Sequence, residues 1–253
     1  MKVILLGTGT SGGVPMITCD CPVCMSDDLR DKRLRSSVLL EINGNYIVID
    51  TGPDFRQQML RIGAKQLDAV VLTHLHKDHI AGLDDIRPFN YKQQSNIPVF
   101  SDTITANQLK QEFPYIFNGY PYPGIPQVSL QIIDEQPFEL FGTIWQPIPI
   151  FHHKLPIKGF RIENFAYITD ASLIPESSIE KLQNLDVLIL NALRKEPHIS
   201  HFNLEQALEL VSILKPKKTW FTHISHLMGT YAEVSQELPP NVALGHDGLV
   251  IEI

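Results

Sequence analysis

DAVVLTHLHKDHIAG, residues 68–82, is the stretch of sequence from which the fold and the chemistry of this chain are best predicted. Its apolar start, residues 69–72, predicts a strand that runs directly into a cluster of histidines. Alternate residues of an extended chain point to the same side, so we expect His74 and His76 to share one metal ion.

Asp78 and His79 follow where we expect a helix to begin, and there they can turn to a second ion. Imidazole together with carboxylate suits zinc, manganese or iron, and the order of affinities alone does not select among them. An ordinary solvated turn rarely carries so many potential ligands in residues 74–79. We therefore interpret the segment as a two-metal site.

The 253 residues suit one domain, and no repeat, low-complexity tract or linker divides residues 1–253. Hydrophobic residues make up 43% and charged residues 19%, as in ordinary globular proteins. No apolar run reaches the roughly 18–20 residues that span a bilayer. The apolar start of the chain lacks the longer core and cleavage site of a signal peptide. We expect a cytoplasmic protein with no membrane partner.

The balance of acidic and basic residues helps to distinguish between classes of substrate. The formal net charge is −7, from 28 acidic and 21 basic residues. Long nucleic acids bind mainly through clustered lysine and arginine, and the longest basic tract here is only residues 215–218. A small-molecule substrate fits this chain better than a long nucleic acid.

Short apolar and β-branched runs alternate with a few segments of helical spacing, which indicates a layered α/β domain. Residues 115–127, rich in proline, tyrosine and glycine, predict a long loop, and Asn43-Gly44-Asn45 predicts a hairpin turn. We predict strands at residues 3–6, 37–41, 46–50, 69–72, 97–100, 128–133, 143–147, 165–168, 187–191, 218–222 and 249–253. We predict helices at residues 54–62, 103–113, 174–185 and 203–214.

All three cysteines fall in one short loop, Cys19-Asp-Cys21-Pro-Val-Cys24. An odd and clustered set cannot form a disulfide framework. Ligation of a metal by thiolates in a reducing compartment explains the loop better. Three thiolates are one ligand short of a closed tetrahedral zinc site.

The motif His-x-His-x-Asp-His after an apolar strand resembles the signature of the metallo-β-lactamase superfamily. That family has an α/β (α+β) fold, a four-layer αββα sandwich. Further residues match it in the expected order, namely Asp50, His152, Asp170 and His223. The resemblance implies one ion held by His74, His76 and His152, a second held by Asp78, His79 and His223, and Asp170 as the bridge. Asp50, with Asp68 as a further candidate, would orient the ligands, and His153 is the alternative to His152.

The glycine-rich start, residues 7–15, the cysteine loop and the histidine motif together resemble the PhnP-like branch of that family. Its namesake is a cyclic phosphodiesterase of phosphonate breakdown. The resemblance implies manganese or zinc at the two active-site positions, a homodimer, and a structural zinc held by Cys19, Cys21, Cys24 and a histidine. His226, three residues beyond His223, is the natural candidate for that histidine. The PqqB proteins share a similar cysteine loop.

His201 matches the histidine that faces the scissile phosphate in the PhnP-like branch, and His198 does not. A histidine that titrates near neutrality can protonate the leaving oxygen or hydrogen-bond the phosphoryl group. The alternative is that His201 only supports the start of the next helix. Arg87 either reaches an anionic substrate or forms an ion pair with Asp84 or Asp85.

These features predict a two-metal hydrolase with Asp78 and His201 as catalytic residues. The resemblance favours a phosphodiesterase that acts on a small phosphodiester, including a cyclic ribose phosphate. A nuclease that processes tRNA 3′ ends is disfavoured by the acidic balance, and a β-lactamase or thioesterase by Asp78 and the cysteine loop. The alternative from another class is a PqqB-like accessory protein that binds metal without catalysis.

Overall fold

The computed structural model describes residues 1–119 and 124–253, and these residues form two seven-stranded sheets. The strands are β1 (Lys2–Gly7), β2 (Ser37–Ile42), β3 (Asn45–Ile49), β4 (Ala69–Val71), β5 (Ile97–Ser101), β6 (Val128–Ile132), β7 (Phe138–Leu140), β8 (Thr143–His152), β9 (Leu155–Ile162), β10 (Phe165–Ile168), β11 (Val187–Asn191), β12 (Lys218–Thr222), β13 (Val242–Leu244) and β14 (Val250–Glu252).

The order of the strands brings several strand ends to one place. The first sheet runs β14-β1-β2-β3-β4-β5-β6 and the second runs β13-β12-β11-β10-β9-β8-β7. Strands β3 to β6 run parallel to one another, and so do β10 to β13. The carboxyl ends of parallel strands meet at the same edge of a sheet. The loops after β3, β4, β10, β11 and β12 can therefore contribute to one site.

Helices flank the two sheets. They are α1 (Pro22–Met25), α2 (Phe55–Ile62), α3 (Lys77–Ile80), α4 (Arg87–Gln93), α5 (Thr103–Glu112), α6 (Pro114–Phe117), α7 (Glu176–Lys181), α8 (Leu204–Leu214) and α9 (Tyr231–Val234), with short 3₁₀ turns at Leu29–Asp31 and Leu83–Ile86. Among the residues that the structure describes, none of these helices combines the length and the apolar character needed to cross a bilayer.

Three apolar layers hold this arrangement together. Trp145, Phe160 and Tyr167 are fully buried between the two sheets. Phe55 of α2 packs in a second cluster on the outer face of the first sheet. Leu210 of α8 packs in a third cluster on the outer face of the second sheet. Helix, sheet, sheet and helix are thus stacked in four layers, which confirms the predicted αββα sandwich.

Helix α8 shows how the sequence specifies one of these layers. Its buried residues recur at helical spacing, with Leu210 and Leu214 one turn apart on the face that meets the sheet. Asn203 accepts a hydrogen bond from the backbone N–H of Gln206, and the Gln206 side chain accepts one from the backbone of Asn203. This capping box confirms the predicted N-cap and starts the helix at Leu204.

The hairpin prediction is also confirmed. Strands β2 and β3 pair antiparallel up to Ile42 opposite Asn45. Asn43 and Gly44 have φ angles of 51° and 80°. Two consecutive residues with positive φ form the turn whose twist matches that of the strands it joins.

Several elements differ from the prediction. Strand β8 runs to His152, five residues beyond the predicted end at residue 147, because it pairs along its length with β9. Strand β9 was not predicted, since Pro156 and Gly159 interrupt its apolar pattern. The predicted loop at 115–127 begins within α6, and residues 120–123 of it lie outside the described residues. Of the predicted helix at 174–185, only Glu176–Lys181 is helical.

Candidate metal centre and active site

The predicted ligands lie at the ends of strands. His74 and His76 follow β4, and Asp78 and His79 lie in the first turn of α3. Ligands from the other sheet complete the group, with His152 closing β8, Asp170 following β10 and His223 following β12. The fold therefore brings together residues separated by as many as 149 positions, from His74 to His223.

Backbone strain marks three residues of this region. Asp50, Asp170 and His223 have φ angles of 67°, 60° and 54°. Residues other than glycine seldom adopt this left-handed conformation, and where they do the surrounding structure has to hold them there. Each of the three follows the last residue of a buried strand closely, so the conformation turns its side chain back across the strand ends.

One group of possible ligands surrounds His79. The Nε2 atom of His79 lies 3.2 Å from Oδ2 of Asp78 and 3.3 Å from Oδ1 of Asp170. The Nδ1 atom of His223 lies 3.1 Å from the same Oδ1 of Asp170. The ligand atoms of these four residues all fall within 4.8 Å of one another. Two carboxylates and two imidazoles at this spacing suit one divalent ion.

A second group lies on the other side of Asp170. The Nε2 atom of His74 is 4.0 Å from Oδ2 of Asp170, the oxygen that faces away from His79. The ring centroids of His74 and His76 are 4.6 Å apart, and those of His76 and His152 are 5.0 Å apart. Asp170 thus presents one oxygen to each group, which is the arrangement expected of a bridging carboxylate.

The outward-facing nitrogens of these histidines are held by hydrogen bonds. Nδ1 of His79 lies 2.7 Å from Oδ2 of Asp50, and Nδ1 of His152 lies 2.9 Å from the carbonyl oxygen of Asp170. Nδ1 of His74 lies 2.9 Å from the hydroxyl of Thr73. These bonds orient each ring so that its other nitrogen faces the interior of the site.

The nitrogens that face the interior have no partner among the described residues. Nε2 of His74, Nε2 of His79 and Nδ1 of His223 are buried without a hydrogen bond. A buried polar atom without a partner costs about 1–3 kcal/mol, and three of them converge on one carboxylate. Binding of divalent ions would satisfy all three, so the donor set fits two metal ions.

The electrostatics of the site agree with this. Burial lowers the pKa of His79, but the carboxylates of Asp170, Asp78 and Asp50 raise it well above its ordinary value of 6.5. Burial raises the pKa of Asp170, but the neighbouring His223 and His79 lower it well below 3.8. A site that holds a proton on His79 between ionised carboxylates is one where a cation is strongly favoured.

His201, which the family resemblance does not count among the metal ligands, forms a group with His152 and Asp170 whose possible ligand atoms all lie within 4.8 Å of one another. It is 8% exposed, and its Nδ1 atom is 4.0 Å from Oδ2 of Asp170 and has no hydrogen-bond partner. Its ring centroid is 4.6 Å from that of His152 and 4.8 Å from that of His223. Burial, followed by the charge of His223, lowers the pKa of His201 to about 3. The ring is therefore neutral at pH 7, in contrast to the expected titration near neutrality.

A separate site is formed at the cysteine loop. Sγ of Cys19 and Sγ of Cys21 lie 3.2 Å and 3.4 Å from Nδ1 of His226, and Cys24 completes a group within 4.8 Å. Hydrogen bonding from the backbone N–H of Cys24 lowers the pKa of Cys21 to about 6. Burial raises the pKa of Cys24 to about 11. Three sulfurs and one imidazole nitrogen at these distances suit a tetrahedral zinc ion.

Two further candidate residues, Asp68 and Arg87, have structural roles. Oδ2 of Asp68 accepts hydrogen bonds from the backbone of Tyr46 and from Gln66, so the prediction that Asp68 orients a metal ligand is wrong. Arg87 forms an ion pair with Asp84 at 2.6 Å, the structural alternative for that residue.

His153 differs from its neighbour His152 in its surroundings. It is exposed and has a φ angle of 52°, and its backbone N–H bonds to Ser172. It thus lies outside the cluster that includes His152.

Sequence reasoning missed two polar residues of this region, Thr73 and Thr10, and set aside a third, His198. Thr73 donates its hydroxyl to Asp50 at 2.8 Å and faces Nδ1 of His74, and Thr10 lies 3.3 Å from Nε2 of His223. His198 lies next to His201, with 5.1 Å between ring centroids. Thr73 could have been noticed in the sequence, because it directly precedes the first histidine of the motif. The contact of Thr10 could not, because Thr10 lies 213 positions from His223.

Comparison with known proteins agrees with the fold. Residues 45–224 match the model of the beta-lactamase superfamily domain. The crystal structure of a protein described as a new diphosphatase from the PhnP family superposes with a TM-score of 0.93 and 43% identity, covering 99% of this chain and 96% of that one. The zinc-bound PqqB of Methylobacterium extorquens superposes with a TM-score of 0.80 at 19% identity, covering both chains fully, which shows a common fold.

The curated relatives are mostly longer. An octanoyltransferase of Porphyromonas gingivalis is 38% identical over 252 residues, which are 98% of this chain and 51% of that protein. A coenzyme PQQ synthesis protein B of Methylobacterium nodulans is 32% identical over 126 residues, 43% of this chain and 41% of that protein. The chain thus spans about half the length of these relatives. On its sequence, fold and site, the chain belongs to the metallo-β-lactamase superfamily and, within it, to the PhnP family.

Proposed function

We propose that this protein is a two-metal hydrolase that cleaves a phosphorus–oxygen bond in a small phosphodiester. The observation that carries the proposal is the convergence of three unpartnered, buried imidazole nitrogens on the two oxygens of Asp170. Such a donor set is costly to the fold unless it binds cations, and two adjacent divalent ions are a common device for phosphoester hydrolysis.

The residues divide between two ions of manganese or zinc. His74, His76 and His152 would hold one ion, Asp78, His79 and His223 would hold the other, and Asp170 would contact both. When bound, such ions supply Lewis acidity and make a water nucleophile available near neutral pH. The Cys₃His group would hold a zinc ion that fixes the N-terminal loop to His226, close to His223 in sequence.

The role of His201 in this proposal is to form a hydrogen bond with the substrate. Its buried Nδ1 points to the same carboxylate as the ligands and has no protein partner. Because the ring is neutral, one of its nitrogens donates and the other accepts. We assign to His201 a hydrogen bond to the phosphoryl group or to the departing oxygen, which the negative charge of the phosphoryl group would strengthen.

Two classes of linkage fit this site. The phosphodiester class, including cyclic ribose phosphates, follows from the resemblance to the PhnP-like branch, whose namesake is a cyclic phosphodiesterase. A diphosphate linkage is the second candidate, because the PhnP-family protein that shares 43% identity is described as a diphosphatase. Both substrates would present an anionic phosphorus to the same ions. They differ only in the group that is bonded to this phosphorus through the departing oxygen.

The name of the octanoyltransferase relative does not imply that this chain transfers octanoyl groups. This chain covers only 51% of the octanoyltransferase, so the activity named for that whole protein is not proposed for this chain. A PqqB-like accessory role without catalysis remains the second function class, and it is favoured by the coenzyme PQQ synthesis relatives.

The experiment is a hydrolysis assay with protein loaded with Mn²⁺ or Zn²⁺. The substrates are bis(p-nitrophenyl) phosphate and a 2′,3′-cyclic nucleotide, beside the variants Asp78→Ala and Asp68→Asn. We expect turnover by the parent protein and by Asp68→Asn, whose carboxylate lies away from the metal ligands, and none by Asp78→Ala. Full metal occupancy without turnover of either substrate would contradict the proposal and favour the accessory role.

A further inference from the structure

His198 is a polar residue of the site that the metal cluster does not use. It lies on the segment between β11 and α8 that also carries His201, and the two rings are 5.1 Å apart at an angle of 37°. Unlike His201, it is absent from the groups of residues close enough to share an ion. It is half-buried, so part of the residue is exposed to solvent.

The local backbone defines which nitrogen of His198 can donate. Nδ1 accepts a hydrogen bond from the backbone N–H of Ser200 at 3.3 Å, and the Ser200 hydroxyl lies at the same distance. A neutral imidazole that accepts at Nδ1 carries its proton on Nε2. Within residues 1–119 and 124–253, that Nε2–H has no hydrogen-bond partner, so it is a donor available to a ligand.

His201 is in ring contact both with the predicted ligand His223 and with His198. His223 and His201 are 4.8 Å apart between ring centroids, and His201 and His198 are the next pair at 5.1 Å. A phosphoryl group that reaches Asp170 and His201 would place whatever is bonded to it next to His198. Arg194 adds positive charge here, and together with burial, the larger cause, it lowers the pKa of His198. Anionic groups are therefore favoured at this position.

We propose that His198 is a specificity-determining residue, whose Nε2–H hydrogen-bonds the second phosphoryl group of a substrate with a diphosphate linkage. The inference rests on the proposed function and selects the diphosphate among its two candidate linkages. In the reaction, the oxygen of water bonds to one phosphorus and the bond from that phosphorus to the bridging oxygen breaks. The second phosphoryl group leaves with the bridging oxygen, so two phosphate monoesters form and the protons of water are released or carried by them.

The test compares two substrates that differ in the number of phosphoryl groups. Diadenosine diphosphate joins two adenosines through two phosphoryl groups, and adenylyl-(3′→5′)-adenosine joins them through one. The kcat/KM of metal-loaded protein is measured for both by separating the products chromatographically, with the metal content of each variant determined in parallel. The variants are His198→Ala, His198→Gln and, as the control on the same segment, Ile199→Ala, whose parent side chain is 74% exposed.

We expect His198→Ala to lower kcat/KM for the diphosphate about tenfold more than for the single phosphodiester, as loss of a hydrogen bond to a charged group does. His198→Gln, which retains an N–H donor at a similar reach, should recover most of the loss, and Ile199→Ala should resemble the parent. Equal effects on both substrates, or no effect, would overturn the role of His198. A parent protein that cleaves only the single phosphodiester, or that cleaves neither compound but hydrolyses bis(p-nitrophenyl) phosphate or the 2′,3′-cyclic nucleotide, would overturn this inference alone. One that hydrolyses none of these substrates would overturn the proposed function as well.

Discussion

Oδ2 of Asp50 lies 2.7 Å from Nδ1 of His79 and also accepts the hydroxyl of Thr73 at 2.8 Å. Since the single proton of that hydroxyl goes to Asp50, Thr73 accepts from Nδ1 of His74. One buried carboxylate therefore sets the ring orientation of a ligand in each half of the metal cluster, directly for His79 and through Thr73 for His74. Hydrogen bonds of this kind raise the basicity of ligands and keep their lone pairs directed at the ion.

Replacing Thr73 with valine should weaken metal binding without unfolding the protein. The variant removes the acceptor for Nδ1 of His74 and one donor to Asp50, and losses of this kind typically reduce metal affinity about 10- to 100-fold. The measurement is calorimetric titration of the metal-free protein with Zn²⁺. Thr219→Val is the matched control, because the hydroxyl of Thr219 is buried but has no partner among the described residues. Equal zinc affinities of the two variants would argue against the link from Asp50 through Thr73 to His74.

Asp170 and Asp78 should differ in how many ions they affect. Asp170 presents an oxygen to each half of the cluster, whereas Asp78 lies in one half only. We expect Asp170→Asn to reduce the binding of both active-site ions and Asp78→Asn to leave about one bound. Metal content by mass spectrometry after dialysis distinguishes the two variants, with the zinc of the Cys₃His group as an internal reference. Loss of a single ion from Asp170→Asn would show that it does not bridge.

The Cys₃His group should stabilise the fold independently of the active site. Cys24→Ser removes one sulfur ligand, and we expect loss of one bound zinc ion together with a fall of Tm of roughly 5 °C or more, since a few kcal/mol correspond to that shift in a chain of this size. Differential scanning calorimetry and metal analysis test this. The two active-site ions should remain bound, and an unchanged Tm would assign the cysteines no role in stability.

His201 predicts a pH dependence of the stability of the metal-free protein. Its pKa is about 3 in the folded state against 6.5 ordinarily. Above pH 6.5 the ring is neutral in both states, but below it the unfolded chain binds a proton that the folded chain does not. The free energy of unfolding should thus fall by about 1.4 kcal/mol for each pH unit from 6.5 toward 3 on account of this residue.

The comparison is between the parent and His201→Asn, both without metal. Urea unfolding at pH 6.5 and pH 4.5 should show that the parent loses roughly 2–3 kcal/mol more stability than the variant over this interval. Identical pH profiles would mean that His201 is solvated and titrates in the folded state.

Much of the fold could be predicted from local patterns. Buried strands such as Phe165–Ile168, Val187–Asn191 and Lys218–Thr222 are short β-branched and aromatic runs, and their bounds were predicted without error. Strands β7 and β13, with three residues each, were missed because neither belongs to a longer apolar run, as the equally short β4 does in residues 69–72. They exist because a neighbouring strand edge offers them hydrogen bonds.

The sequence by itself determined the chemistry of this protein, since the motif of residues 74–79 and the cysteine loop place ligands close together whatever the rest of the chain does. Only the tertiary structure decided the orientation of those ligands and what stands next to them. Thr10 contacts His223 and Asp50 links His79 to Thr73 because the ends of several strands meet at one edge. Contacts between residues so distant in sequence depend on packing, so they cannot be predicted from local sequence.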